Sequence, residues 1–340
     1  MRSSTVPARI ITALIGVVVT PIALGLLSSG GLIWYQTFTR YGGFDGTLLV
    51  GPTALQIAGI ALLVVVVLTG LWSSAGLLAA GALSVIALVF ALFPSITVSA
   101  YQLPVPREWI DGAYYGLPTA LLPVLGGMGL ALWFARHRPS RSAALHVIGF
   151  FATPVLLLAG AWLVILSIAR FLTSMQRFEL SPAPDALGLL LGGIVLLLAG
   201  LFFTRWSPFA LLLPALFVII ITPLLFTPGS ALFNVVYPID RDAALGLLGI
   251  VGTGTGVAAA VLYIAYTLVM VRTRARAARF PATVHPGFAG PEEGFRAGVA
   301  PGGMYPGGAY PGGAHADGDQ YASASPENQP PAPPVPPANG

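Results

Sequence analysis

The chain has no cysteine and no lysine, and only 8% of its 340 residues are charged. The first absence removes disulfides, thiolate metal sites, iron–sulfur clusters, cysteine nucleophiles and covalent haem attachment together. The second makes all 16 basic residues arginine. The third sets the chain apart from soluble domains, in which about a quarter of the residues are charged. There are 12 acids and 4 histidines. Gly-x-Ser-x-Gly, His-Glu-x-x-His and P-loop patterns are missing, so neither a hydrolase nor a nucleotide-binding enzyme is indicated. The run Gly252-Thr-Gly-Thr-Gly256 has no lysine and no preceding strand, and reads as a place of close helix packing. His146 stands near an apolar run without a second histidine or an acid beside it, which fits a solvated interfacial residue rather than a metal ligand. The sequence points to no cofactor, no metal and no catalytic residue, and to a non-enzymatic protein.

What is abundant is apolar sequence: 56% of residues are hydrophobic and the mean hydropathy is +0.84. A bilayer core about 30 Å thick needs about 20 apolar residues in a helix. Eight stretches meet that length: 12–33, 51–72, 75–98, 115–135, 144–168, 186–204, 208–227 and 244–271. The joints at Trp72–Ser74 and Arg205–Ser207 are so short that the spans they connect must be antiparallel hairpins. No Asp, Glu or Arg falls in the middle of a span, which argues against a charge-coupled pump, since such pumps place ionisable groups inside the membrane. The expected fold is therefore all-α and polytopic.

Orientation follows from arginine bias. With the N-terminus in the cytoplasm, Arg2, Arg9, Arg136, Arg138, Arg141, Arg205, Arg272, Arg274, Arg276 and Arg279 lie inside, with no acid among the inner loops. The outer loops then hold Asp45, Glu108, Asp111, Glu179, Asp185, Asp240 and Asp242. Both termini are expected in the cytoplasm. The Ala, Gly, Pro and Arg bias suggests a GC-rich bacterial genome, hence a bacterial plasma membrane. Arg2 and Arg9 ahead of an apolar run resemble a signal peptide, but no small-residue cleavage site follows, so the first span is expected to stay. The pI near 9.6 reflects this collar of arginines rather than a nucleic-acid surface.

The first span also has an echo. Gly16, Thr20 and Pro21 recur as Gly149, Thr153 and Pro154. Further on, Phe44-Asp45 is matched by Phe178-Glu179, Gly59 by Gly193, Trp72-Ser73 by Trp206-Ser207, and Pro94 by Pro228. Pro104-x-x-Arg107-Glu108 is matched by Pro238-x-x-Arg241-Asp242, and Gly112 by Gly246. Such fixed-order matches predict two tandem four-helix repeats, 1–140 and 141–279, of equal orientation and related by an axis along the membrane normal.

Within the echo, proline removes a helical hydrogen bond, and Thr20 and Thr153 are expected to return their hydroxyls to the carbonyls of Gly16 and Gly149. Gly and Thr four apart also form a small-residue face for close approach. The motif is open to two readings: a kinked packing helix, or a hinge lining a central cavity. Asp45, Arg107, Glu108, Glu179, Arg241 and Asp242 form a candidate outer charged cluster, as loop tethers or as an anion-binding mouth. Tyr101, Trp109, Tyr114 and Tyr115 read as an aromatic belt. Arg272, Arg274, Arg276 and Arg279 are candidate contacts to anionic membrane lipid.

Residues 280–340 carry two Tyr-Pro-Gly-Gly units and the run "PPAPPVPP" at Pro330–Pro337. With too few apolar residues for a core, this tail is expected to be disordered and partly PPII, open to recognition by a cytoplasmic protein partner. Two functions fit: an envelope scaffold with a partner-recruiting tail, or a permease-like protein moving a neutral, apolar or lipidic substrate between the repeats.

Overall fold

The computed structural model describes residues 6–41, 46–137, 143–177, 184–226 and 231–279, and every regular element among them is helical. In hydrocarbon each backbone N–H and C=O must be paired within its own segment, which leaves helices as the outcome for such apolar runs. Thirteen α-helices and one 3-10 turn are described in chain order: α1 (Val6–Tyr41), α2 (Gly46–Thr69), α3 (Ala75–Ala82), α4 (Ser84–Leu92), α5 (Pro94–Ala100), α6 (Arg107–Tyr114), α7 (Leu117–His137), α8 (Ala143–Gln176), α9 (Pro184–Phe203), the 3-10 turn Pro208–Leu211, α10 (Leu212–Phe226), α11 (Ala231–Ile239), α12 (Arg241–Gly252) and α13 (Thr255–Arg279). Eight helical stretches are long and apolar enough to cross a membrane.

Both short hairpin joints form as expected. Gly70, Leu71 and Trp72 close the first with bonds three residues back, and Thr204, Arg205 and Trp206 close the second in the same way. α3 and α4 make one span, tightened at Leu83, whose N–H bonds Ala80.

Four spans differ in extent from the sequence reading. The expected third span ran to residue 98, but α4 stops at Leu92, because Phe93 leaves helical geometry (φ −123°, ψ 83°) and Pro94 opens the separate helix α5. The expected eighth span, 244–271, is two elements. α12 ends at Gly252, Gly254 takes φ +77°, and the spanning stretch is Thr255–Arg276. A second positive-φ glycine, Gly116 at φ +76°, separates α6 from α7. A left-handed residue stops a helix at little cost only when it lacks Cβ. The glycine-rich run 252–256 is therefore a joint between helices, invisible to hydropathy because its neighbours are equally apolar. Finally, α1 and α8 have 36 and 34 residues, about 54 and 51 Å at 1.5 Å per residue. Both overreach the hydrocarbon core, so length beyond the apolar window was not legible from hydropathy.

The centre of the bundle is α7 and α13. Their spans are 67% and 56% buried, against 22–39% for the other six. Leu121, Leu125, Met128 and Leu132 on α7 and Leu262 and Tyr266 on α13 are essentially inaccessible, and the Tyr266 hydroxyl donates to the Met128 carbonyl at 3.0 Å. The peripheral helices wrap this pair with backbones in near contact. Gly59 of α2 sits on Ala23 and Leu27 of α1, Gly193 of α9 on Gly160 and Val164 of α8, and Gly81 of α3 on Gly126 of α7. Without a hydrophobic drive between helices in lipid, close approach of this kind supplies the packing energy.

Candidate functional site

The described Asp, Glu, Arg and His side chains lie towards the two ends of the bundle. At the end where α1 begins, α7 and α13 each direct an arginine onto a hairpin joint. Arg136 donates to the Gly70 carbonyl. Arg274 donates to the carbonyls of Trp206 and Thr204, both at 3.3 Å, and to that of Arg205. These carbonyls close tight turns and have no further helical N–H to accept from, so a guanidinium with several donors in a fixed fork suits them. The Arg205 side chain lies over the rings of Phe202 (4.1 Å), Trp206 (4.8 Å) and Phe134 (5.9 Å), a cation–π arrangement at the bundle edge. Of the candidate lipid contacts, Arg272 and Arg276 are exposed, Arg274 is engaged with the joint, and Arg279 closes α13. Hydropathy could not single out Arg136 or Arg274. Their common spacing, 20 residues after Gly116 and Gly254 respectively, was the available signal.

At the opposite end, α6 lies against α1. Trp109 covers Gly25, where a Cβ would stand 2.2 Å from the ring, and the Ser28 hydroxyl donates to the Glu108 carbonyl. Tyr115 meets Tyr35 at 5.9 Å and Tyr114 at 5.5 Å, and Tyr114 meets Phe171 at 6.0 Å. The aromatic residues read as a belt thus include three that turn inward and tie α6 to α1 and α8. Burial pushes the Tyr115 phenol up to about 12, with Tyr35, Tyr114 and Asp111 adding to it. Tyr101 stays at the surface and donates to Asp111 at 2.5 Å. Its own phenol is raised by burial first and then by that carboxylate.

The candidate charged cluster is only partly visible, since Asp45 and Glu179 lie outside the described residues, as do Phe44, Phe178, Pro228, Arg138, Arg141 and the tail. Arg107 and Glu108 open α6, and Arg241 and Asp242 open α12. Among the described residues these four make no ion pair with one another. Arg170 and Asp185 do pair, at 2.8 Å, between α8 and α9. Arg241 faces the Tyr237 ring at 6.0 Å, and Asp240 caps α12 by accepting from the Ala243 N–H at 3.0 Å. No three acids or histidines converge on a point among the described residues.

The Gly-x-x-x-Thr-Pro segments lie inside α1 and α8, which continue through Pro21 and Pro154. Gly16 meets the Gly76 backbone, and Gly149 meets Phe203 and Trp206, as the small-residue reading requires. The threonine expectation fails. Thr20 and Thr153 are fully buried, and neither Oγ1 has a hydrogen-bond partner, although Thr12, Thr173 and Thr267 do bond the carbonyl four residues back. The carbonyl four residues back is thus within reach of helical threonines here, but at these two positions the hydroxyl is turned away from it. Thr20→Val and Thr153→Val keep the shape and remove an unpaired hydroxyl, so each is expected to leave stability unchanged or raise it by about 1 kcal/mol. Thermal unfolding in detergent checks this, and a loss of similar size would show that the hydroxyl has a partner.

Two cavities open along the seam between α3, α4 and α7 on one side and α8 and α9 on the other. The larger, about 240 Å³, is lined by Leu78, Ser84, Pro123, Gly126, Ile194 and Leu198 among others. The smaller lies towards the α6 end, against Phe90, Thr97, Thr119, Ser167, Phe171 and Leu190. Neither is lined by Thr20 or Thr153. Comparison with protein-family profiles, curated proteins and solved structures gives no match.

Proposed function

We propose that this is a non-enzymatic bacterial envelope protein, a rigid platform in the plasma membrane whose proline-rich tail recruits a partner on the cytoplasmic side. The observation that carries the reading is the packed centre. Leu121, Leu125, Met128, Leu132, Leu262 and Tyr266 are essentially inaccessible, and the two buried threonines line neither cavity, where a hinge around a central substrate path calls for a polar cavity at that depth. The arginine excess at the end where α1 begins supports a cytoplasmic side for both termini.

The platform is read as two tandem repeats. In support, a long helix, a second span, a tight hairpin, a third span, two short helices, a positive-φ glycine and a central span follow one another from α1 to α7, and again from α8 to α13. Arg136 and Arg274, each capping its own hairpin joint, occupy the same place in that succession. The register between the repeats changes within α12, which has 12 residues where α6 has 8. That is about one extra helical turn, which keeps the same face towards the core.

The test is affinity purification in native lipid discs of the full chain and of a version ending at Arg279, with a synthetic Pro330–Pro337 peptide as competitor. Proteins lost both on truncation and on competition are the expected result. A protein set unchanged by either overturns the tail-recruitment reading. A small metabolite retained by both versions, with no protein lost, would instead favour a permease for a neutral substrate.

A further inference from the structure

We propose that the seam between α3, α4, α7 and α9 is a binding groove for a single acyl chain of a membrane lipid, entered from the end that carries α6. The two cavities follow one another along it and share no lining residue. Thr119, Pro123, Gly126 and Leu130 recur every three or four residues on α7, and Ala186, Leu190, Ile194 and Leu198 every four on α9. That spacing is one face of each helix, so both cavities share the same two walls. From Thr119 to Leu130 and from Ala186 to Leu198 the walls run about 17–18 Å at 1.5 Å per residue. One leaflet of a core about 30 Å thick is about 15 Å deep. The groove therefore has the depth of one leaflet.

Its size selects the occupant. The volume of about 240 Å³ falls below the ~300–1,000 Å³ of ordinary small-molecule sites, and a helix about 10 Å across does not enter it. A flexible chain one carbon wide does. The groove exists because two glycines meet at its floor: a Cβ on Gly81 would stand 2.2 Å from Gly126 Cα, so no side chain from either fills the space above them. The deep half is lined almost wholly by Leu, Ile, Ala, Gly and Pro, with the one hydroxyl of Ser84.

The polarity of its two ends also differs, as it does in a lipid. The shallow half adds Thr97, Thr119, Ser167, Ser174 and Tyr114. Arg170 and Asp185, next in sequence to its lining residues Phe171 and Ala186, pair at 2.8 Å with side chains 41% and 63% exposed. An arginine at that level meets a phosphate headgroup with hydrogen bonds a free acyl chain cannot offer. This site is separate from the exposed arginines at the other end of the bundle, and it stands whether or not the tail recruits a partner.

The experiment reconstitutes the full chain in phosphatidylglycerol–phosphatidylcholine vesicles containing a phospholipid with a diazirine in mid-acyl chain, and maps the photo-adducts by peptide mass spectrometry. Adducts on Leu130, Leu198 and Ser84 are expected at several-fold the yield on Val50 and Ile220, which are exposed apolar positions of α2 and α10. Ser84→Phe and Ala82→Trp fill the groove from its rim, and each should cut the groove adducts by about tenfold while leaving those on α2 and α10 unchanged. If one variant fails to fold, as judged by circular dichroism, the other decides. Adduct yields equal across all exposed positions, or unaffected by filling, overturn the proposal. A groove yield that falls below that on Val50 and Ile220 as the protein-to-lipid ratio rises overturns it as well, and puts a second copy rather than a lipid in the groove.

Discussion

Gly81→Val is expected to destabilise the bundle by about 3 kcal/mol, at the upper end of what overpacking costs. A Cβ at this position lands 2.2 Å from the Cα of Gly126, and an α-carbon inside a central helix cannot rotate aside as a side-chain tip can. Relief requires α3 to move off α7, which opens the Leu77 and Leu125 packing, both inaccessible to solvent. Gly16→Val should behave alike, since its Cβ would stand 2.2 Å from the Gly76 carbonyl oxygen. The controls are Gly51→Ala in α2 and Gly188→Ala in α9, where nothing lies within 4 Å of the added carbon. With space available, replacing a helical glycine gains up to about 1 kcal/mol of helix propensity. Thermal unfolding of the four variants in one detergent separates the pairs. Equal midpoints for Gly81→Val and Gly188→Ala would mean that α3 and α7 do not meet through their glycines.

These glycines show which features of the chain could be read from its residues. Apolar windows of about 20 residues located all eight spans, because the bilayer imposes a length and forces the backbone to close on itself. The hairpin joints at Trp72 and Arg205 followed from their brevity alone. The break at Gly254 did not follow, because its neighbours are as apolar as a span and only the positive φ betrays it. Nor could the sequence say that Thr20 and Thr153 leave their hydroxyls unpaired, since a helix offers the same carbonyl to any threonine and neighbouring packing decides the rotamer. The charged cluster was legible as composition, not as contact. Arg170 and Asp185 pair across α8 and α9, whereas Arg107 and Arg241 each open a different short helix. The seam was hidden because Gly81 and Gly126 read as two more small residues among 41 glycines, until the fold set them face to face.

The largest polar effect is expected at Arg274. Arg274→Leu should cost about 2–3 kcal/mol, the range for losing charge-assisted hydrogen bonds and leaving acceptors unpaired. Three carbonyls, those of Thr204, Arg205 and Trp206, receive its guanidinium. They belong to the turn that joins α9 to the 3-10 turn and α10, so their loss frees that hairpin. A charge effect on membrane orientation would give a similar loss of folded protein, and Arg274→Lys separates the two. Lysine keeps the positive charge that the arginine bias requires, but its single ammonium cannot reproduce the planar fork. Arg274→Lys is therefore expected to lose about half as much stability with unchanged orientation. Arg276→Lys, at an exposed position, should stay within about 0.5 kcal/mol of the parent, as surface changes usually do. Unfolding midpoints together with protease accessibility of the tail in sealed vesicles read stability and orientation in one preparation. If Arg274→Lys and Arg276→Lys prove indistinguishable, the arginine serves topology alone. If they differ while the tail stays on the same side, the hairpin cap is what the fold selects at this position, and Arg136→Lys should repeat the result at Gly70.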